Sequence, residues 1–65
     1  MNDRLLSYAG VKELTSLSES TVRRLVKAGK FPAPALLTPG RRVFREAEVR
    51  QAITRLLEEH REKRV

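Results

Sequence analysis

The three prolines of this chain, Pro32, Pro34 and Pro39, fall within one short stretch. Each removes a backbone donor and pushes its predecessor toward extended geometry, so residues 31–37 cannot be helical. The segment from Leu36 reads as strand, turn, strand: Leu36 and Leu37, then Thr38, Pro39 and Gly40, then residues 41–45. So short a ribbon is unstable alone and must pack on helices. Alternation sends neighbours to opposite faces, so Val43 or Phe44 turns inward.

Helical patterns flank the ribbon. Residues 7–14 form a short candidate, capped by Ser7, with Val11 and Leu14 on one side. Gly10 inside it costs about 1 kcal/mol of propensity, so this helix leans on packing. Thr15 and Ser16 break the pattern, and Leu17 plugs the gap between two helices. Ser18 is the preferred cap of the second helix, and Glu19 suits its positive end. A capping box of Ser16 with Glu19 is the alternative, starting the helix two residues earlier. Val22, Leu25 and Val26 form its apolar stripe, Lys27 and Lys30 favour its negative end, and Gly29 suits the left-handed position beyond it. A third helix from Glu46 to about Arg61 carries Val49, Ala52, Ile53, Leu56 and Leu57 at i, i+3, i+4, i+7, i+8. Glu46 and Glu48 sit at its positive end, and Arg61, Lys63 and Arg64 at its negative end. Residues 1–4 and the last few are expected to fray. The expectation is one domain over residues 1–65, mostly α with a small β-ribbon.

At 65 residues such a domain buries only about 60% of its unfolded surface, so its stability is a few kcal/mol. With no cysteine and one histidine, His60, neither a disulfide framework nor a metal cluster is expected. No nucleophile, base and orienting group stand together, so neither catalysis nor a cofactor is expected. No apolar run approaches the ~18 residues of a membrane span. The first residues lack the apolar stretch of a signal peptide. The expected location is the cytoplasm, with the nucleoid.

Charge then narrows the function. The formal net charge is +6. Acids and bases balance within residues 1–17 and again within 46–65. The whole excess lies in residues 18–45, where Arg23, Arg24, Lys27, Lys30, Arg41, Arg42 and Arg45 face only Glu19. A solubility surface mixes both signs. A concentrated excess suits a polyanion.

On the second helix, at about 100° per residue, Ser20, Arg24 and Lys27 stack opposite the apolar stripe, flanked by Arg23 and Thr21. Such a helix fits the major groove, where its N-terminal residues, here Glu19, Ser20, Thr21, Arg23 and Arg24, reach base edges. Arg pairs with guanine, and the Thr methyl touches thymine. Ser18 and the amides beside it can hold a phosphate. The plainer reading is a solvated helix face. Two features favour DNA: these cations have no acid at i±4 apart from Glu19 near Arg23, and Arg41 and Arg42 stand on a turn that can reach the same side. That pair reads as a wing on phosphate or in the minor groove. Arg45 either binds phosphate or pairs with Glu46 or Glu48. Tyr8 and Phe31 read as packing residues, and His60 as a solvated one.

These residues resemble a known family. Leu-Thr-Ser-Leu-Ser-Glu-Ser-Thr-Val-Arg-Arg-Leu at 14–25, Lys-Ala-Gly-Lys-Phe-Pro-Ala-Pro at 27–34, Gly-Arg-Arg-Val-Phe-Arg at 40–45 and Glu48 with Val49 are similar to the AlpA-type phage regulatory proteins and small excisionases with a MerR-like winged helix-turn-helix. The likeness covers roughly residues 5–57. It implies a monomeric core with a recognition helix in the major groove and a wing on the backbone or minor groove. It also implies a role in transcription regulation or in prophage DNA recombination, as a factor that bends DNA and helps an integrase excise an element, with cooperative self-association on DNA. Carried onto this chain, the contacts are Ser20, Thr21, Arg23, Arg24 and Lys27 on the helix, with Arg41 and Arg42 on the wing.

There are departures from the family pattern. Ser16 stands where the family usually has Gly, so the turn is expected to differ. Ala33 replaces a commonly basic residue, and Phe44 a common Trp. The third helix runs past the usual end, where Leu56 and Leu57 can cover the core or meet another protomer. The competing reading is a small basic adaptor that binds an acidic protein without sequence-specific DNA binding. RNA binding ranks below it, because no aromatic platform is evident.

Overall fold

The computed structural model describes residues 3–61. Its elements, in order, are β1 (Leu5–Leu6), α1 (Tyr8–Thr15), α2 (Glu19–Lys27), β2 (Ala35–Thr38), β3 (Arg41–Arg45) and α3 (Glu46–Glu59). The architecture is mostly helical with a small antiparallel sheet, as in a winged helix-turn-helix.

Local capping sets the first two helices. Ser7 caps α1 through a hydrogen bond from the Gly10 amide at 3.2 Å. Ser18, not Ser16, caps α2, so the capping box does not form. Ser16 instead closes α1 in the left-handed region, φ 67°, its amide donating to Lys12 O at 2.7 Å. The turn expected to differ therefore keeps a left-handed residue. Thr15 supports it: the Thr15 hydroxyl donates to Val11 O at 2.7 Å and accepts from the Leu17 amide at 3.1 Å. Leu17 packs half-buried against the core in the corner between α1 and α2. Beyond α2, Lys30 N donates to Leu25 O and Gly29 N to Val26 O, the paired bonds of a Schellman motif, with Gly29 at φ 76°.

The ribbon forms as expected and is joined by a strand the sequence pattern did not indicate. β1 pairs antiparallel with β3, Leu5 opposite Arg45 and Leu6 opposite Phe44, giving the order β1-β3-β2. In β2–β3, Thr38 faces Arg41 across Pro39 and Gly40, and the register shifts between Leu36 and Thr38. Arg41 and Arg42 open β3, the strand expected over 41–45, directly after the turn.

Fraying of the N-terminal residues is overturned for the two that are described. Arg4 O accepts from the Glu46 amide at 2.8 Å, and Asp3 Oδ1 from the Ala47 amide at 3.2 Å. Together they cap α3, whose N-cap residue Arg45 supplies no side-chain bond. Asp3 Oδ2 accepts from Arg45 at 2.9 Å, so Arg45 pairs here and not with Glu46 or Glu48. The Ala47 amide first, then Arg45, holds the Asp3 carboxyl below the usual aspartate range. α3 ends at Glu59, short of Arg61. Met1, Asn2, Lys63, Arg64 and the remaining C-terminal residues lie outside the described residues.

Leu6, Val11, Val22, Phe31, Phe44, Val49 and Ala52 form the core. Phe44 is its hub, meeting Tyr8 edge-to-face at 5.1 Å and Phe31 at 5.8 Å. Val43 is buried as well but stands outside this cluster, as strand alternation requires.

Candidate nucleic-acid interface

α2 is positioned by its inner face. Val22 is fully buried, and Leu25 and Val26 are half-buried against the core. Ser20, Arg23, Arg24 and Lys27 are thereby turned to solvent, while Thr21 on the flank is half-buried. At the N-terminus a hydroxyl chain fixes the first turn. Ser18 Oγ accepts from the Thr21 amide at 3.3 Å and donates to Thr21 Oγ1 at 3.0 Å. Arg24 donates to the same Thr21 Oγ1 at 3.3 Å, which draws its guanidinium toward the start of the helix.

Arg23 has a different environment. Its Nε and Nη2 both donate to Glu19 Oε2, at 3.0 and 2.6 Å. Its guanidinium lies 5.0 Å from the centre of the Tyr8 ring. The hydrogen bond to Glu19, then the field of Tyr8, raises the Arg23 pKa further above its ordinary value. Arg23, Glu19 and Tyr8 share with Arg41 and Arg42 a concavity of about 360 Å³ between α2, the start of α1 and the ribbon turn. Gly40, at φ 81°, forms the turn on its rim.

The structure therefore brings Arg23, Arg41 and Arg42 around one hollow. Ser20, Arg24 and Lys27 stand outside it, on the outer side of α2. Thr21 also lines a separate apolar groove, shared with Leu17, Leu25, Ile53, Leu56 and Leu57. Of the two residues that hold Arg23, Glu19 was among the sequence candidates and Tyr8 was not. Glu19 was legible as the i, i+4 partner of Arg23. Tyr8 carried no signal, because its place beside Arg23 depends on how α1 packs on α2 and β3.

The cationic excess divides unevenly. Of the seven cations in residues 18–45, Arg23 pairs with Glu19, Lys30 with Glu59 at 3.2 Å, and Arg45 with Asp3 at 2.9 Å. Arg24, Lys27, Arg41 and Arg42 have no acidic partner among the described residues. All four stand on α2 or at the start of β3.

Two helices joined by a left-handed corner, followed by a two-stranded ribbon, set this arrangement within a known class. Residues 5–57, most of the chain, match the family model described as a helix-turn-helix domain. The chain belongs to that family. The helix-turn-helix family includes small excisionase-like DNA-binding proteins, and membership supports binding of double-stranded DNA. No curated protein and no solved structure matches the chain significantly. Among the described residues, no helix is long and apolar enough to cross a membrane.

Proposed function

We propose that this helix-turn-helix protein binds double-stranded DNA in a sequence-specific manner. α2 enters the major groove with Ser20, Thr21, Arg24 and Lys27 at base edges or adjacent phosphates, and Ser18 at the helix N-terminus lies beside a phosphate. The β2–β3 wing sets Arg41 and Arg42 on the backbone or in the minor groove. The observation that carries this reading is the division of charge. Ion pairs within the fold engage Lys30 and Arg45 beside the elements and Arg23 on α2, and the four that have no acidic partner among the described residues stand on the two elements that a winged helix-turn-helix presents to DNA.

The role that fits is that of an excisionase or a small transcriptional regulator of a phage or integrative element, working in the cytoplasm. As an excisionase it would act beside an integrase, with cooperative self-association along repeated sites. Footprinting on the DNA flanking its own coding region tests this. Protection beside an attachment site supports excision, and protection over a promoter supports regulation. Equal affinity for every duplex rejects sequence-specific binding and returns the chain to the adaptor reading.

A further inference from the structure

We propose that Glu19 sets the sequence-independent part of the affinity for duplex DNA by withholding Arg23 from phosphate. The inference rests on the duplex-binding reading and deepens it. Arg23 stands in the same hollow as Arg41 and Arg42, where a phosphate-directed cation belongs. Yet its Nε–Nη2 edge is spent on Glu19, and its face lies on Tyr8. Tyr8 is itself held edge-to-face by Phe44 of β3, so three elements fix where this guanidinium points.

The pair contributes little to folding. Both side chains are about half exposed, 55% and 52%, and exposed ion pairs stabilise weakly. Its consequence lies in the surface charge. Affinity for any duplex, whatever its sequence, rises with the number of phosphates that cations neutralise. A cation cancelled by a neighbouring carboxylate adds nothing to that term, while contacts to base edges are unaffected. Glu19 thus lowers the affinity for every duplex by a similar factor and leaves discrimination to the base contacts. The helix dipole alone requires only an acid in the first turn. It does not require a guanidinium clamped between that acid and an aromatic ring.

The test measures binding to the footprinted site and to a scrambled duplex by fluorescence anisotropy over a salt series. Glu19→Gln is expected to bind scrambled DNA more tightly. It should steepen the dependence of log K on log salt by about 0.9 for both duplexes and leave the ratio of target to scrambled affinity unchanged. The double variant Glu19→Gln with Arg23→Gln should return to the wild-type slope. Glu13→Gln makes the same change in net charge in a separate concavity, with Arg4 and Arg50, and should leave the slope unchanged. A wild-type slope for Glu19→Gln, a steep slope persisting in the double variant, or equal steepening by Glu13→Gln overturns the proposal. Failure of the wild-type protein to bind any duplex overturns the duplex-binding reading beneath it.

Discussion

α2 and α3 both begin with acidic residues and both bury an apolar stripe, yet they are held in opposite ways. α2 is capped by its own Ser18 and closed by its own Gly29, all within one local stretch. α3 begins at a residue with no capping side chain and borrows Asp3 and Arg4 from the other end of the chain. Their charges differ likewise. Arg50 of α3 pairs with Glu46 at 2.8 Å, and Arg61, just past the helix, approaches Glu58 at 3.7 Å. On α2 Arg23 is paired, while Arg24 and Lys27 are exposed and have no acidic partner among the described residues. A helix whose ends are satisfied locally can offer its whole outer face to a ligand. α3 is a strut, tied to the N-terminal segment at its start and to Lys30 through Glu59 near its end.

The most severe way to break this contrast is to remove what the two helices share. Phe44→Ala, at the hub of the core, is expected to cost about 3–5 kcal/mol, as large-to-small core changes do. In a domain with only a few kcal/mol to lose, both helices should melt together. Far-UV circular dichroism at 25 °C should show a largely unfolded chain, and a surviving helical half would show that the two are independent.

The next test addresses the outer face of α2. Arg24→Ala is expected to lose about 1–3 kcal/mol on the target and relax preference at one base position. Competition binding against single-position variants of the site measures this, and a uniform loss across sequences removes the base-reading role. The wing should behave differently. Arg41→Ala with Arg42→Ala should weaken all duplexes alike and flatten the salt slope by about two.

Smaller effects sharpen the comparison of caps. Ser18→Ala should lower stability by about 1 kcal/mol in urea unfolding, the usual cost of a lost side-chain cap. For α3 the cap is remote and pH-dependent. The folded pKa of Asp3 is depressed, so its contribution is complete above the ordinary aspartate range and is lost as pH falls through the depressed folded value. Asp3→Asn should therefore be less stable than wild type near neutrality, and the two should converge in strong acid. Paired acid-unfolding curves measure this, and a constant gap at every pH rejects the charged cap.

Much of the fold was legible because its signals are local. Ser7, Ser18 and Gly29 act within a few residues of themselves, and the apolar periodicity of α2 and α3 needs no distant partner. The turn at Pro39 and Gly40 is equally self-contained. Strand alternation left Val43 or Phe44 as the inward residue, and the fold places Phe44 in the core cluster. β1 was not legible, because Leu5 and Leu6 are too short a pair to show a period, and they become a strand only against β3. The same holds for Arg45, whose candidate partners in sequence were Glu46 and Glu48 and whose actual partner is Asp3.

The candidate site divides along the same line. Which face of α2 is polar, and that the charge excess lies in residues 18–45, follow from composition and helical period, which are properties of the chain. Which of those charges remain available depends on the fold. Ion pairing depends on the approach of side chains within a few ångströms, and it was folding that brought Asp3 to Arg45, Glu59 to Lys30 and Tyr8 to Arg23.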